Sequence, residues 1–251
     1  MPSAERIGVR QPGGTLDTLQ DMGRVGARVL SALARFSAQH PWSHNDAYGP
    51  WVLWHARRTR RGGSAALDVG CGTGNLVRKL AGVMGEVTGI EQDTGTAARA
   101  RANLAHIDNA DVREESFDLS PDEQPRYDLV SFVAVLHHLP LEPALRAARS
   151  VLRPGGCLVI VGLARETPAD LPRSLASVFL NAAVGAVRHP RRAVAEPENM
   201  TAPTAEPLET FEQIEAVARD VLPGVKMRRR LFWRYTAVWV APAAGFGATV
   251  G

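Results

Sequence analysis

The sequence "LDVGCGTGNL", Leu67–Leu76, joins an apolar strand to the start of a helix through three alternating glycines. Asp68 precedes these glycines, which stand at Gly70, Gly72 and Gly74. Their spacing indicates that something approaches the backbone very closely, because a glycine leaves the space of a side chain open. A strand that passes through glycines into a helix also presents backbone N–H groups and the positive end of the helix dipole. A ligand site is therefore predicted where this strand ends.

Strands and helices alternate along the chain from this point. Strands are predicted at "AALDVG", "EVTGIE", "ADVREES", "YDLVSFVAV" and "GCLVIVGLA", with helical segments between them. This alternation is typical of a parallel sheet covered by helices on both faces. Two final strands, "VKMRRRLFW" and "RYTAVWVAP", are expected to pair antiparallel at the sheet edge. The predicted fold class is therefore α/β, with a mostly parallel sheet and an antiparallel edge pair.

Two segments depart from this alternation. Residues 1–62 read as a helical segment that closes over the ligand site, ahead of a main domain at residues 63–251. Within the main domain, residues 165–207 contain an apolar helix around "RSLASVFLNAAVGAV" and a stretch rich in Pro, Ala, Glu and Thr. This insertion is either an ordinary surface connection or a helical cover over the carboxyl edge of the sheet, where long insertions often build ligand sites.

Composition and charge argue against several classes of protein. With 251 residues, 45% of them hydrophobic, the chain can bury its own core. Its longest apolar runs are about strand length, so no membrane span is expected. The 29 basic residues are nearly balanced by 26 acidic ones, and no aromatic residues are interleaved with the short basic clusters, so no nucleic-acid partner is expected.

Two further features bear on where the protein acts. The first residues lack the apolar core of a secretory signal, and the two cysteines do not suggest a disulfide framework. A cytoplasmic protein is therefore expected, and the sequence leaves monomer and homodimer open.

The glycine spacing also argues against cofactors that carry phosphate. A dinucleotide fingerprint, G-x-G-x-x-G, would need its third glycine at Asn75, and no G-x-x-x-x-G-K-[ST] loop is present in the sequence. A nicotinamide oxidoreductase is thus the weaker alternative.

Four segments in order resemble the motifs of class I S-adenosylmethionine-dependent methyltransferases, and in particular bacterial enzymes that act on small molecules. They are "LDVGCGTGNL", "VTGIEQD", "RYDLVSFVAVLHHL" and "LRPGGCLVIVG", and in the last of them "LRPGG" corresponds to a turn before the fifth strand. The resemblance covers residues 64–163 well and implies a Rossmann-like sheet of seven strands. It also implies S-adenosylmethionine as the cofactor.

The resemblance implies which residues hold this cofactor. Asp68 would lie beside the ammonium of the methionine part, while Glu91 would accept hydrogen bonds from both ribose hydroxyls. Ser116 would bond the adenine edge and Phe117 would pack on the adenine ring, in place of the Asp that many relatives carry there, with Asp118 as the other option. The whole set is Tyr48, Asp68, Gly70, Cys71, Gly72, Gly74, Glu91, Gln92, Ser116, Phe117 and Val133.

The segment "HPWSHNDAYGPWVLWHA" resembles the one that precedes the glycine motif in those bacterial enzymes. On that resemblance His44, Asn45 and Tyr48 fold over the methionine end, with His44 and Asn45 toward the acceptor. Trp42, Trp51 and Trp54 are expected to pack the helix of this segment onto the body. A purely structural role for the whole segment is the alternative.

The paired histidines of "VLHHLP" are the candidates for a catalytic base. Methyl transfer is an in-line displacement accelerated largely by alignment, and a base helps only a hydroxyl or an acidic carbon. His137 and His138 follow the fourth strand, whose end should face the methyl group, and imidazole titrates near neutral pH. For His138 we favour a structural role, a hydrogen bond that holds the loop. For His137 a catalytic role and a structural role are equally supported.

Motifs that the sequence lacks narrow the choice of acceptor. No Asn-Pro-Pro-Tyr sequence follows the fourth strand, so methylation of exocyclic base nitrogens is not expected, and no cluster of residues indicates a metal. The remaining expectation is a small organic acceptor, methylated at oxygen or carbon in specialised metabolism. The alternative is a protein that binds S-adenosylmethionine without transferring its methyl group, because a fold does not fix a function.

Overall fold

The computed structural model describes residues 33, 35, 36, 44–59, 62–118, 126–188 and 206–243. Seven strands in these residues form one sheet. They are β1 Ala65–Val69, β2 Glu86–Glu91, β3 Ala110–Glu114, β4 Tyr127–Val133, β5 Leu152–Gly162, β6 Lys226–Arg229 and β7 Tyr235–Val240. The helices are α1 Gly49–Thr59, α2 Asn75–Ala81, α3 Thr94–Leu104, α4 Leu141–Ser150, α5 Leu171–Arg188 and α6 Phe211–Val221. Short 3-10 turns at His44–Ala47, Leu136–His138 and Pro168–Asp170 precede α1, α4 and α5.

The strands lie in the order β3-β2-β1-β4-β5-β7-β6. Neighbouring strands from β3 to β5 are parallel, whereas β7 runs antiparallel to both β5 and β6. The predicted fold, a Rossmann-like α/β sheet with an antiparallel edge pair, is therefore confirmed. The chain leaves β1 toward β2 and β3 and then returns to β4 on the other side of β1. Ligands of open α/β sheets bind at such a reversal, outside the carboxyl ends of the strands.

Two apolar cores cover the two faces of this sheet. Successive residues of a strand point to opposite faces, and in β1 Leu67 and Val69 enter one core while Ala66 enters the other. The first core also takes side chains from α4 and α6, such as Leu145 and Ile214, and the second takes side chains from α1, α2 and α3. The central strands are thus buried on both faces, as their nearly continuous apolar sequences indicate.

Polar residues fix where two of the helices begin. Asp93 accepts a hydrogen bond from the Thr96 N–H (2.8 Å) at the start of α3. Thr210 and Gln213 form a reciprocal capping box at the start of α6. Such caps satisfy N–H groups that the first turn of a helix leaves without an intrahelical partner.

Strand β5 differs from the sequence prediction. A turn is predicted at "LRPGG", but β5 already begins at Leu152 and continues through these residues. Its pairing with β4 jumps from Tyr127–Leu152 to Leu129–Cys157, so the predicted turn is an irregularity inside the strand. Gly155 takes a positive φ of 76° there, which a glycine adopts without steric cost.

Of the two helical segments predicted outside the sheet, the structure describes one much more fully than the other. The helix expected within residues 165–207 is confirmed as α5, whereas most of the helical segment expected at residues 1–62 lies outside the described residues. Among the helices described, none is both long and apolar enough to cross a bilayer.

Candidate functional site

The three glycines after β1 all have left-handed backbones, with φ of 67° at Gly70, 55° at Gly72 and 82° at Gly74. A Cβ added to Gly70 would lie 2.4 Å from a methyl carbon of Val135, and one added to Gly74 would lie 2.8 Å from Leu104. A Cβ added to Gly72 would meet no neighbouring atom of the described chain within 4 Å. Gly70 and Gly74 therefore make room for the protein itself, and Gly72 is the glycine of the three that faces open space.

Backbone N–H groups of this loop are bonded inside the protein. The Cys71 N–H donates to the Ile90 carbonyl (2.9 Å) and the Gly74 N–H to the Cys71 carbonyl (3.0 Å). The Gly72 N–H donates to the Glu91 carboxylate (3.0 Å). The expectation that the N–H groups of the loop face a ligand is wrong for these three, because β2 and the loop itself supply their acceptors.

Asp68 is the buried acid of the site. It is 2% exposed and accepts a hydrogen bond from the Ser131 hydroxyl (2.7 Å). Burial raises the pKa of Asp68 to about 7; the Ser131 hydrogen bond opposes this shift, and the Glu91 carboxylate adds to it. Because a nearby cation stabilises a buried carboxylate, this part of the site favours a positively charged ligand.

Glu91 ends β2 with both carboxylate oxygens engaged. One oxygen accepts the Gly72 N–H, and the other accepts the Asp93 N–H (3.0 Å). Each oxygen has a second lone pair, so both can still accept hydrogen bonds from the hydroxyls of a ligand. Gln92, the next residue, is exposed, and its amide oxygen accepts a hydrogen bond from Ser116 (3.4 Å).

The two residues predicted at the adenine lie in different environments. Ser116 is exposed beyond the end of β3. Phe117 is buried in the core, with its ring edge-on to that of Phe132 at a centroid distance of 5.6 Å. A contact of Phe117 with an adenine ring stays a prediction, and the structure gives the residue a packing role in addition.

The chain after β4 lies on the glycine loop. Val133, the last residue of β4, is half-buried, and Ala134 follows with φ 56° and donates its N–H to the Val161 carbonyl (2.8 Å). A left-handed backbone is uncommon for a residue other than glycine. It is followed directly by Val135, whose side chain occupies the space that Gly70 leaves open.

The two predicted catalytic histidines belong to the 3-10 turn that follows. His137 is half-buried and His138 is exposed, and their ring centroids lie 4.1 Å apart. The His138 N–H donates to the Val135 carbonyl (2.9 Å). Both residues therefore stand within three positions of a side chain that packs on the glycine loop.

His44 and Asn45 connect the segment before α1 to distant parts of the chain. The Nε2 atom of His44 lies 2.9 Å from the amide oxygen of Asn181 in α5, and the side-chain oxygen of Asn45 accepts a hydrogen bond from Arg234 (3.1 Å). Burial, and then the charge of Arg234, lower the pKa of His44 to about 4, while the bond to Asn181 opposes the shift. His44 is therefore neutral at physiological pH.

Asp46 and Tyr48 continue these connections. Asp46 accepts hydrogen bonds from Asn75 (2.9 Å) and from the ammonium of Lys79 (2.8 Å), both in α2. The Tyr48 hydroxyl donates to the Leu231 carbonyl (2.7 Å), and burial raises the pKa of Tyr48. The segment thus lies between the helix that follows the glycine loop and the end of β6.

The tryptophans of α1 behave differently from one another. Trp51 is partly buried and packs against the core, as expected. Trp54 is 50% exposed, with the Arg58 guanidinium 4.6 Å from its ring centroid. The expectation that Trp54 packs α1 onto the body is therefore wrong, because its side chain points away from that core. Trp42, of which the same was expected, lies outside the described residues.

Sequence reasoning missed the turn between β6 and β7. Phe232 and Trp233 both have left-handed backbones, with φ of 57° and 56°. The His44 ring stacks on Phe232 at 5.7 Å and lies 5.5 Å from the Trp233 ring, and the Phe232 N–H donates to the Ser177 hydroxyl of α5 (2.8 Å). The available signal was the run "LFWRY", whose consecutive large side chains break the alternation of an edge strand.

These residues fit S-adenosylmethionine. Asp68 and Glu91 suit the positive charges of its ammonium and sulfonium groups, and the open space at Gly72 admits a close approach. Glu91 also retains acceptor capacity for two ribose hydroxyls. The Asp68 carboxylate, buried next to the glycine loop, is unfavourable for a pyrophosphate and so argues against a dinucleotide.

Comparison with known proteins agrees with this fit. A family model of a methyltransferase domain matches residues 66–156. An uncharacterised methyltransferase of Mycobacterium tuberculosis is 31% identical over 210 residues, which are 80% of this chain and 98% of the relative. A ubiquinone biosynthesis O-methyltransferase of Pseudomonas paraeruginosa is 33% identical over 126 residues, which are 48% of this chain and 53% of that relative.

Solved structures show the same fold. A SAM-dependent methyltransferase of Aquifex aeolicus aligns over 76% of this chain and 88% of its own, with a TM-score of 0.52 and 15% identity. The N-methyltransferase NodS of Bradyrhizobium japonicum aligns over 78% of this chain and 96% of its own, with a TM-score of 0.51 and 16% identity. Together with the relative matched over almost its whole length, these findings show that the chain belongs to the class I S-adenosylmethionine-dependent methyltransferases.

Proposed function

We propose that this methyltransferase acts on a small organic acceptor, at oxygen or carbon. The observation that carries the proposal is the contact of three remote chain segments through His44. His44 precedes α1, and its side chain contacts both Asn181 of α5 and Phe232, which lies between β6 and β7. A site walled in this way suits an acceptor of limited size with an apolar ring or chain.

When bound, S-adenosylmethionine supplies a methyl group on a sulfonium, which is activated toward nucleophiles. Asp68 and Glu91 would hold the cofactor by its charges and its ribose hydroxyls. The residues 1–62 would close over it, and α5 within residues 165–207 would cover the acceptor, which then has to be aligned with the methyl group.

A hydroxyl or an acidic carbon must also lose a proton. His137 is the best candidate for the base, because His44 and Tyr48, the two other candidates, are poorly suited to accept a proton. The low pKa of His44 makes it a weak base, and the Tyr48 hydroxyl has a raised pKa and already donates to a carbonyl. For His138 a structural role in the turn remains our preferred proposal.

Oxygen as the methylated atom has support from a relative. The Pseudomonas protein that shares 33% identity over about half of its length is a ubiquinone biosynthesis O-methyltransferase. We propose the same class of atom here, without the same acceptor, and we place the reaction in the specialised metabolism of the cytoplasm of a bacterium.

The test is a screen of small phenols, alcohols and acidic carbon compounds with methyl-labelled S-adenosylmethionine. We expect label in a small-molecule product together with an equal amount of S-adenosylhomocysteine. Label that enters only protein or RNA of a cell extract would overturn the choice of acceptor. Binding of S-adenosylhomocysteine without turnover of any acceptor, small or macromolecular, would favour a protein that only binds the cofactor.

A further inference from the structure

A small cleft lies at the carboxyl edge of the sheet, between the end of β5, the start of α5 and the turn before β7. It is rich in cationic side chains. The arginines that line it are Arg165, Arg173, Arg229, Arg230 and Arg234, and the carboxylates that line it are Glu166 and Asp170. Cationic side chains therefore outnumber anionic ones in the cleft, with five arginines against two carboxylates.

The acids of the cleft are already engaged. Asp170 accepts hydrogen bonds from Arg173 (3.1 Å) and from Arg229, which also pairs with Glu212. Glu166 accepts a hydrogen bond from the Ser174 hydroxyl. These contacts account for Arg173 and Arg229, and Arg165 is exposed to solvent. Arg230 and Arg234 are the two that remain.

Arg234 is half-buried and bonds only to neutral oxygens in the described part of the chain. Its Nε donates to Asn45 (3.1 Å), and one Nη approaches the carbonyls of Phe232 (3.4 Å) and Trp233 (3.5 Å). Within the same residues no carboxylate lies within ion-pair distance of Arg234, and its second Nη has no protein acceptor. Burial lowers the pKa of Arg234 to about 10, so the group stays cationic at neutral pH.

Arg230 resembles Arg234 in this respect. Its Nε donates to the Thr236 hydroxyl (3.0 Å), and no described carboxylate pairs with it. Two guanidinium groups without a described counter-ion thus line one cleft, where a partly buried charge is costly unless an opposite charge compensates it.

The indole of Trp233 adds a neutral donor at the same place. Trp233 lines the cleft, and its Nε1 atom is buried without a hydrogen-bond acceptor among the described residues. An indole N–H can only donate, and buried donors are nearly always satisfied. The left-handed backbone of Trp233 holds the donor in this position, at a cost that a functional site can justify.

We propose that the methyl acceptor carries a carboxylate, which binds in this cleft to Arg234 and to the indole N–H of Trp233. The inference rests on the proposed function, a small organic acceptor, and specifies its chemical class. A carboxylate supplies the missing counter-ion, and its two oxygens can accept one hydrogen bond from the second Nη of Arg234 and one from the indole N–H. An amine would be repelled, and a neutral acceptor would leave Arg234 without compensation.

The test measures binding in pairs of probes that differ only in charge. Benzoate and benzamide, 4-hydroxybenzoate and 4-hydroxybenzamide, and phenylacetate and phenylacetamide are titrated into protein saturated with S-adenosylhomocysteine. We expect a carboxylate in this panel to bind about tenfold or more tightly than its amide, as a charge-assisted bond predicts. If no carboxylate is preferred over its amide, the proposal is wrong.

Substitutions show which residues cause the preference for a carboxylate over its amide. Arg234→Gln should reduce the carboxylate preference to about twofold or less, Arg234→Lys should keep most of it, and Trp233→Phe should weaken both members of a pair alike because an amide carbonyl also accepts from the indole. Arg99→Gln, on an exposed arginine of α3, is the matched control. A preference that survives Arg234→Gln would overturn the assignment, and the wild-type pairs decide if that variant does not fold.

Failure of this inference can be told apart from failure of the proposed function. Affinity for S-adenosylhomocysteine is measured first and should be the same in all variants. The carboxylate preference is read from binding without turnover, whereas the proposed function fails if label enters only macromolecules or if no acceptor is turned over.

Discussion

The two halves of the site differ in charge and in how the chain builds them. The proposed cofactor half is built mainly from one continuous stretch, residues 68–92, which contains the acids Asp68 and Glu91. The acceptor half comes from three remote segments, 44–48, 177–181 and 231–235, and presents aromatic rings and Arg234. Each half thus has the charge opposite to that of the group proposed to bind there.

This difference explains which half of the site can be predicted from local sequence. A continuous loop can be recognised from the spacing of its glycines, because backbone conformation is a local property. A wall assembled from segments 137 or 189 residues apart in sequence leaves no local pattern. The following predictions test whether the two halves act separately.

The largest effect is expected at the junction of the halves. With a hydroxyl acceptor, His137→Ala should lower kcat by roughly 10² to 10⁴, the usual range for a lost general base. Affinity for the cofactor should not change, because the side chain belongs to the acceptor step. Turnover and S-adenosylhomocysteine affinity are measured side by side, with the exposed His106→Ala as the control. A wild-type kcat in His137→Ala would mean transfer by alignment alone.

The glycines of the cofactor half should separate packing from binding. Gly70→Ala places a methyl group against Val135 on a left-handed backbone, so it should destabilise the protein by about 3 kcal/mol. Gly72→Ala meets no such neighbour and should cost about 1 kcal/mol in stability, from backbone strain alone. Gly72→Ala should also weaken cofactor binding, by more than its loss of stability explains, whereas Gly70→Ala should not. Urea unfolding and calorimetry give the two quantities, and equal unfolding energies for both variants would contradict this division.

Glu91→Ala should weaken the binding of S-adenosylmethionine by about 2 kcal/mol, which is roughly thirtyfold in Kd, because charge-assisted hydrogen bonds are lost. The free protein should lose less stability than this, because the Gly72 N–H that Glu91 accepts can turn to water. Binding of a carboxylate probe in the acceptor half should stay unchanged at saturating S-adenosylhomocysteine. Calorimetry that finds unaltered cofactor affinity would remove Glu91 from the site.

Stability should also depend on pH through Asp68. The pKa of Asp68 is raised to about 7 from an ordinary value of 3.8, so the folded protein keeps a proton there that the unfolded chain has lost. The free energy of unfolding should therefore fall as pH rises from about 4 to 7. Asp68→Asn stays neutral and should remove this fall, while it weakens cofactor binding at pH 8.

Thermal unfolding at pH 5 and pH 8 measures this difference between wild type and Asp68→Asn. Ser131→Ala is the companion variant, since it removes the hydrogen bond that opposes the shift in the pKa of Asp68. It should make the pH dependence steeper. Parallel stability curves for all three proteins would show that Asp68 is ionised in the free enzyme.

Sequence alone predicted the seven strands, their parallel and antiparallel arrangement and the helix α5, because periodicity and turn residues record local structure. It did not predict that "LRPGG" stays inside β5, since a bulge and a turn use the same residues. It treated Gly70, Gly72 and Gly74 alike, because only three-dimensional packing reveals that Val135 and Leu104 fill two of the three spaces. Arg234 and Trp233 escaped notice for the same reason.

The 3-10 turn His44–Ala47 has a consequence for the order of events in catalysis. Successive residues of this turn, and Tyr48 after it, form hydrogen bonds with α5, Arg234, α2 and Leu231. The segment therefore contacts both halves of the site. If occupancy of either half steadies the segment, the second ligand has less disorder to remove. Thermodynamic reciprocity then requires that the cofactor raise the affinity for the acceptor by the same factor as the acceptor raises the affinity for the cofactor. Such coupling would favour the ternary complex over either binary one.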